Sequence, residues 1–147
     1  MKFLINNKGT ARNFTCDQKW SCISISSRKD EWPELQSENR VSVLRLAFAD
    51  VSNVDWARIY GFPEEAIFGE ETARSILNFY DSAVQQGAEV MMVHCEAGVS
   101  RSPGVAAALS KIHLGTDQEF FDRYTPNMLV YSKILTEHYD SQETPEE

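Results

Sequence analysis

A cysteine and an arginine lie six positions apart in the second half of this 147-residue chain, and their side chains suit phosphoryl transfer. Cys95 could supply a thiolate, which is a strong nucleophile. Arg101 could supply a planar guanidinium, whose two parallel donors match two oxygens of a phosphoryl group. The pair therefore predicts a reaction in which Arg101 binds a phosphoryl group and Cys95 attacks it to form a cysteinyl-phosphate.

The residues around this pair predict a strand, a tight loop and the start of a helix. Residues 89–93 are mostly apolar and follow Gly87, which is typical of a short buried strand. Ser102 and Pro103 begin an apolar run that continues to Leu114, and proline suits the first turn of a helix. The backbone N–H groups of the loop should therefore meet the positive end of a helix dipole and bind an anion.

This loop should stabilise the Cys95 thiolate and cradle a substrate phosphate. The thiol should lose its proton readily, because its anion is the form that the loop stabilises. Gly98 suits a tight phosphate loop, since it has no side chain. The predicted phosphate-binding residues are Glu96, Ala97, Gly98, Val99, Ser100 and Arg101.

The sequence HCEAGVSRS at residues 94–102 resembles the signature of cysteine-dependent protein tyrosine phosphatases. Its second part, residues 97–102, is similar to the small dual-specificity branch of that superfamily. Residues 44–50 look like the strand and general-acid loop of the family, and residues 124–127 look like the start of its C-terminal helix. The resemblance is continuous over residues 41–139 and looser before them.

The resemblance implies a role for each residue of the motif. Cys95 is the expected nucleophile and Arg101 the expected phosphate ligand. Ser102 is expected to donate a hydrogen bond to the thiolate, so that the thiolate leaves well in the second step. His94 is expected to order the loop, and Asn127 to tie it to the last helix.

The departing oxygen of a phosphate ester needs a proton, so the reaction also requires a general acid. The resemblance assigns this role to Asp50, with Asp55 as the alternative five residues further along the same loop. The segment 32–34 (Trp-Pro-Glu) is similar to the Trp-Pro-Asp acid loop of larger tyrosine phosphatases. It ends in glutamate, however, and precedes the strand at Val41, so we expect a buried tryptophan that anchors a loop.

Composition narrows the possible partners and location. Three cysteines without a C-x-x-C pair argue against a disulfide framework and a zinc site, and we expect no metal or cofactor. Cys16 and Cys22 could trap an oxidised Cys95, although such cysteines are more often inert packing. A thiolate nucleophile needs a reducing compartment, which predicts the cytoplasm. A net charge of −8 and the lack of a membrane-length apolar run disfavour nucleic-acid and membrane partners.

The order of predicted elements indicates a single α/β domain. Its central, mostly parallel sheet should carry helices on both faces, with the phosphate loop between a strand and a helix. We predict strands at 1–6, 20–26, 41–46 and 89–93, and a loop at 28–39. One predicted helix spans 70–86, a second begins at 102, and a last one spans 127–139. A short helix is predicted between the last two, where Thr116 and Glu119 form a capping box. The domain is predicted to span residues 1–139, followed by a disordered acidic tail at 140–147.

These observations predict a phosphoprotein phosphatase. There is no room before the matched region for the segment that deepens the pocket of strictly tyrosine-specific relatives, so phosphoserine and phosphothreonine should enter as well as phosphotyrosine. A phosphoinositide phosphatase is an alternative, but the loop has no lysine and Glu96 would repel a headgroup with several phosphates. An RNA 5′-triphosphatase and a phosphopeptide-binding module without turnover are further alternatives. The physiological substrate and the oligomeric state stay open.

Overall fold

The structure is a computed structural model that describes residues 1–142. Its strands are β1 (Lys2–Asn6), β2 (Trp20–Ser26), β3 (Arg40–Ala47) and β4 (Val90–His94), which form one parallel sheet in the order β1-β4-β2-β3. Its helices are α1 (Lys8–Arg12), α2 (Val54–Ile59), α3 (Glu70–Gln85), α4 (Arg101–Leu114), α5 (Gln118–Arg123) and α6 (Met128–Gln142). The predicted α/β class with a parallel sheet is confirmed. Within residues 1–142, no helix combines the length and apolar character needed to cross a membrane.

Both faces of the sheet are buried, and successive side chains of each strand point to opposite faces. Along β2, Ile23 and Ile25 belong to the core formed with α3, α4 and α6, whereas Trp20 and Cys22 belong to a second core. Ala11 of α1 and flanking loop residues cover this second core. Full burial of one such large apolar side chain contributes about 1.5–3 kcal/mol, so both faces stabilise the sheet.

The parallel arrangement brings the segments after several strands to one edge of the sheet. Asn6 ends β1, Ser26 ends β2, Ala47 ends β3 and His94 ends β4. Open α/β sheets bind their ligands at this carboxyl edge. The loop that contains Cys95 therefore lies beside the segments that follow β2 and β3.

The predicted capping box at Thr116 and Glu119 is wrong. Helix α5 has Asp117 as its N-cap residue, without a side-chain capping hydrogen bond. The Tyr131 hydroxyl on α6 donates to Asp117 Oδ2, and Ser110 Oγ on α4 donates to the Thr116 carbonyl (2.6 Å). Contacts with α4 and α6, rather than a local capping box, therefore determine where α5 begins.

The last helix also runs past its predicted end at residue 139. Helix α6 continues through Asp140 and Ser141 to Gln142, and Ser141 Oγ donates to the His138 carbonyl (2.8 Å). Extending an existing helix is much easier than starting one, so polar residues can follow its last buried turn. The remaining residues of the predicted tail, 143–147, lie outside the described residues.

Candidate active site

The loop between β4 and α4, residues 95–100, forms the floor of the candidate site. It packs against the end of β1 and the start of α1, where the Lys8 N–H donates to the Glu96 carbonyl (3.1 Å). Gly98 has a φ of 72°, in the left-handed region that favours glycine. A Cβ atom at this position would lie 3.0 Å from the Asn6 carbonyl oxygen. A larger residue would therefore strain the backbone and clash with β1.

The Cys95 sulfur lies inside this loop and is 2% exposed as a residue. The Gly98 N–H donates to Cys95 Sγ at 3.2 Å, and Ser102 Oγ lies 3.1 Å from the same sulfur. Once the thiol is ionised, only the Ser102 hydroxyl has a proton to donate across that contact. Two donors and the N-terminus of α4 thus favour negative charge on the sulfur.

Arg101 is the first residue of α4, and it is buried, with 6% of its surface exposed. Its Nη1 donates to the Phe48 carbonyl (2.8 Å) and to Ser27 Oγ (2.9 Å). These two bonds fix the plane of the guanidinium and leave the edge with Nε and Nη2 as a pair of parallel donors for an anion. The sequence prediction missed Ser27, for which the only signal is its position directly after β2.

The Asp50 carboxylate lies at the rim of the same site, above the phosphate loop. Its Oδ1 accepts hydrogen bonds from Ser100 Oγ (2.8 Å) and from Asn127 Nδ2 (2.9 Å). Because both donors use Oδ1, Oδ2 is the oxygen that can carry and release a proton. Asp55, the alternative acid, lies in the first turn of α2 rather than in a loop, and it does not line the pocket that contains Cys95.

Asn127 connects the phosphate loop, α6 and the Asp50 segment, which is the stretch after β3 that contains Asp50 and Val51. Its N–H donates to the Ser100 carbonyl (2.9 Å), and its Nδ2 donates to the Val51 carbonyl (3.1 Å) as well as to Asp50. Its Oδ1 accepts from the first N–H groups of α6, those of Leu129 (3.0 Å) and Val130 (3.1 Å). This last contact is an N-cap, which satisfies helix donors that lack intrahelical partners.

The pocket above Cys95 has a volume of about 380 Å³ and few positive charges. Its lining consists of Ser27, Asp50, Cys95, Glu96, Ala97, Val99, Ser100 and Arg101. Arg101 is the one cation in that set, and Glu96 Oε1 lies 3.9 Å from its Nη2. In the part of the chain that the structure describes, no three potential metal ligands cluster together.

Comparisons with known proteins agree with this geometry at the level of the fold. No protein-family model matches the sequence, and no curated protein matches it. The human tyrosine phosphatase-like serine/threonine/tyrosine-interacting protein is 17% identical, with a TM-score of 0.60 over 97% of this chain and 93% of that chain. A mouse putative dual specificity phosphatase, complexed with zinc tungstate, is 20% identical, with a TM-score of 0.58 over 95% and 84% of the two chains. The chain has the dual-specificity phosphatase fold.

A third solved structure with this fold is PTPMT1 in complex with PI(5)P. It is 16% identical to this chain, with a TM-score of 0.58 over 96% of this chain and 92% of that chain. The fold that the signature at residues 94–102 predicts is therefore confirmed.

The remaining candidates from the sequence lie away from the site. Trp32 donates through Nε1 to the Leu46 carbonyl (2.9 Å), so it anchors its loop to β3 as expected. Cys22 belongs to the core on one face of the sheet and Cys95 to the core on the other face, which prevents a disulfide between them. Burial raises the pKa of the Cys22 thiol to about 12, although Arg45 and Arg40 oppose this effect. Cys22 is therefore inert packing.

His94 lies under the phosphate loop and is 0% exposed. Its Nδ1 lies 3.1 Å from the Cys95 carbonyl oxygen, and its Nε2 lies 2.6 Å from Ser24 Oγ. Burial lowers the pKa of His94, and the hydrogen bond to the Cys95 carbonyl opposes that effect. Nearby cations lower the pKa further. The ring therefore lies under the loop as a neutral group.

Proposed function

We propose that this protein is a cysteine-dependent phosphatase that hydrolyses phosphotyrosine, phosphoserine and phosphothreonine in proteins. One observation carries the proposal: the Gly98 N–H donates to Cys95 Sγ and the Ser102 hydroxyl faces the same sulfur, in a pocket that Arg101 also lines. A nucleophile, an anion cradle and a two-donor clamp in one pocket are the requirements for phosphoryl transfer to sulfur.

In the first step, the Cys95 thiolate attacks phosphorus while Arg101 and the loop N–H groups bind the non-bridging oxygens. The bond between phosphorus and the ester oxygen breaks, and that oxygen takes the proton from Asp50 Oδ2. The products of this step are the free hydroxyl of the substrate, a cysteinyl-phosphate and the Asp50 carboxylate.

In the second step, water attacks phosphorus and gives a proton to the Asp50 carboxylate. The bond between sulfur and phosphorus breaks, and inorganic phosphate leaves the pocket. The Ser102 hydroxyl donates to the departing thiolate, which is the better leaving group when its charge is hydrogen-bonded. The enzyme returns to its starting protonation state. Because the first step needs a free thiolate, we expect a reducing compartment such as the cytoplasm.

The charges of the pocket support a substrate with a single phosphate. Arg101 is the only cation among the lining residues, while Glu96 brings a carboxylate to the same pocket. The Glu96 side chain is 54% exposed and lies beside the Arg101 fork, where it would meet any charged group next to the bound phosphate. A phosphoinositide headgroup or an RNA 5′-triphosphate would bring further negative charge toward the Glu96 carboxylate.

A side-by-side turnover assay tests this proposal with four substrates: a phosphotyrosine peptide, a phosphothreonine peptide, phosphoinositide vesicles and an RNA 5′-triphosphate. We expect phosphate release from the two peptides, no release by Cys95→Ser, and normal release by Cys16→Ser, whose cysteine lies outside the pocket. Glu96→Lys should shift the relative rates toward the phosphoinositide. Turnover of the vesicles or the RNA alone would contradict the proposal, and peptide binding without turnover would favour a binding module.

A further inference from the structure

Three polar side chains form a chain of contacts across the sheet, from the exposed side of β3 to the phosphate loop. Arg45 Nη1 on β3 donates to Ser24 Oγ on β2 (2.8 Å). Ser24 Oγ lies 2.6 Å from Nε2 of His94, the last residue of β4. His94 Nδ1 lies 3.1 Å from the Cys95 carbonyl oxygen. Ser24 and His94 are each 0% exposed, so water does not compete for the contact between them.

The chemistry of these groups fixes the positions of the protons. A carbonyl oxygen can only accept, so His94 Nδ1 must carry a proton to bond with Cys95. A guanidinium can only donate, so Arg45 uses a lone pair of Ser24 Oγ and leaves the serine hydrogen free. In a neutral imidazole with a proton on Nδ1, Nε2 is an acceptor, and the serine hydrogen is its donor.

A doubly protonated His94 would also satisfy both contacts, but its surroundings disfavour that charge. The charged or titratable groups around the ring are Arg45, Lys8, Arg101 and the neighbouring Cys95 thiol. The three cations repel a protonated ring, and burial removes the water that would stabilise it. The neutral form with a proton on Nδ1 is therefore the form that matches the contacts.

This tautomer determines which way the peptide bond after the nucleophile points. In a trans peptide, the carbonyl and the following N–H point in opposite directions. The Cys95 carbonyl is held against His94, so the Glu96 N–H is directed away from His94. A rotated or loosened peptide would no longer offer this donor in a fixed direction.

We propose that Ser24 and Arg45 are positioning residues that hold neutral His94 in its Nδ1–H tautomer and thereby aim the Glu96 N–H into the phosphate site. The consequence for turnover rests on the proposed phosphatase function. The tautomer and the reactivity of Cys95 do not depend on it, so they can be measured separately.

The ring nitrogens of His94 test the proposal directly by ¹⁵N NMR. In a His113→Gln, His138→Gln background, His94 is the only histidine left in the chain. At neutral pH we expect a protonated Nδ1 and an unprotonated Nε2. Ser24→Ala should mix the two tautomers, because the ring loses its hydroxyl donor, whereas Ser24→Thr should keep the Nδ1–H form.

The reactivity of Cys95 gives a second readout with a matched control. Ser24→Ala should slow alkylation of Cys95 by iodoacetamide at neutral pH by roughly two- to tenfold, as expected for one lost hydrogen bond. Ser21→Ala is the control, since Ser21 is equally buried on β2 but bonds Ser42 Oγ (2.8 Å) instead of His94. Arg45→Met should have a smaller effect of the same kind, and Arg45→Lys should restore the wild-type rate.

Several outcomes would overturn the proposal. An Nε2–H or doubly protonated His94 in the wild-type chain contradicts the tautomer. Equal effects of Ser24→Ala and Ser21→Ala on alkylation would mean that Ser24 acts only through general stability. If Arg45→Met changes neither the tautomer of His94 nor the alkylation rate of Cys95, Arg45 has no part in the positioning. If no phosphoester is hydrolysed but the Nδ1–H form and the Ser24→Ala effects are found, the phosphatase function fails and this inference stands.

Discussion

The phosphate loop and the Asp50 segment meet at the same edge of the sheet, but different forces hold them. Residues 95–100 run directly from β4 into α4, and Gly98 packs against the backbone of β1. The Asp50 side chain, in contrast, is exposed and is held by single hydrogen bonds from Ser100 and Asn127. The proposed phosphate cradle is therefore built into the fold, whereas the position of the proposed acid depends on two side chains.

In the proposed mechanism, this difference separates the groups that bind the phosphate from the group that moves the proton. A cradle of backbone N–H groups needs no adjustment when a phosphate arrives, which is the requirement for stabilising developing charge. The proposed acid, by contrast, lies on an exposed segment, and two side-chain hydrogen bonds hold its carboxyl group. Substitutions in the two regions should consequently differ in both the size and the substrate dependence of their effects.

Cys95→Ser should give the largest effect, because it removes the nucleophile and leaves the cradle. We expect turnover to fall by roughly 10⁶-fold, as for other removed nucleophiles, while a phosphotyrosine peptide still binds. Stopped turnover with retained binding, measured by phosphate release and by calorimetry, checks this expectation. Activity that survives in the serine variant would exclude a cysteinyl-phosphate.

Asp50→Asn should slow hydrolysis of phosphotyrosine or an alkyl phosphate by roughly 10²–10⁴-fold, the usual loss for a missing general acid. The asparagine Oδ1 can still accept from Ser100 and Asn127, so the variant removes the proton and keeps the tether. A phosphate ester of a very acidic phenol should lose much less in the first step.

Asp55→Asn is the matched control for the Asp50 variant, because Asp55 lies on α2 outside the pocket. It should react like the wild type with both kinds of ester. If Asp55→Asn shows the dependence on the leaving group and Asp50→Asn does not, the acid is Asp55. If neither variant shows it, the proton comes from elsewhere or the protein only binds.

Arg101→Lys should reduce turnover by roughly 10²–10³-fold with every leaving group, because lysine keeps the charge but loses the planar fork. An equal loss of turnover with poor and good leaving groups distinguishes the removal of a phosphate ligand from the removal of a general acid. Arg74→Lys is the control, since Arg74 forms an exposed ion pair with Glu137 (3.0 Å) outside the pocket. Near-normal rates in Arg101→Lys would mean that this guanidinium does not clamp the phosphate.

The two regions also differ in how far the sequence predicted them. The phosphate loop is local: the strand, Gly98 and the helix start follow one another within a few residues, and the structure agrees with all three. The partners of Asp50 and Arg101 come from distant positions, such as Asn127 for the acid and Ser27 for the clamp. No periodicity or local motif in one sequence reports contacts of this kind. The missed start of α5 has the same cause, since Ser110 and Tyr131 determine it.

Substitution of Asn127 should give the smallest effect, and comparing two variants isolates the hydrogen bond from Asn127 to Asp50. Asn127 combines two tasks: Oδ1 caps α6 at Leu129 and Val130, and Nδ2 donates to Asp50 and to the Val51 carbonyl. Asn127→Asp keeps an acceptor for the cap but removes both donors and places a second carboxylate beside Asp50. Asn127→Ala removes the cap as well, which should lower the free energy of unfolding by about 1 kcal/mol relative to the aspartate variant.

We expect both variants to hydrolyse a phosphotyrosine peptide roughly two- to tenfold more slowly than the wild type, in line with one or two lost hydrogen bonds. The ester of the acidic phenol should be affected less, because the acid is the group that loses its position. Thermal or denaturant unfolding measures how much the cap contributes to stability. The ratio of the rates for the phosphotyrosine peptide and the acidic-phenol ester measures how well the hydrogen bond from Asn127 positions Asp50. A wild-type rate ratio in Asn127→Asp would show that Ser100 alone holds Asp50, and that the acid segment needs less support than its contacts indicate.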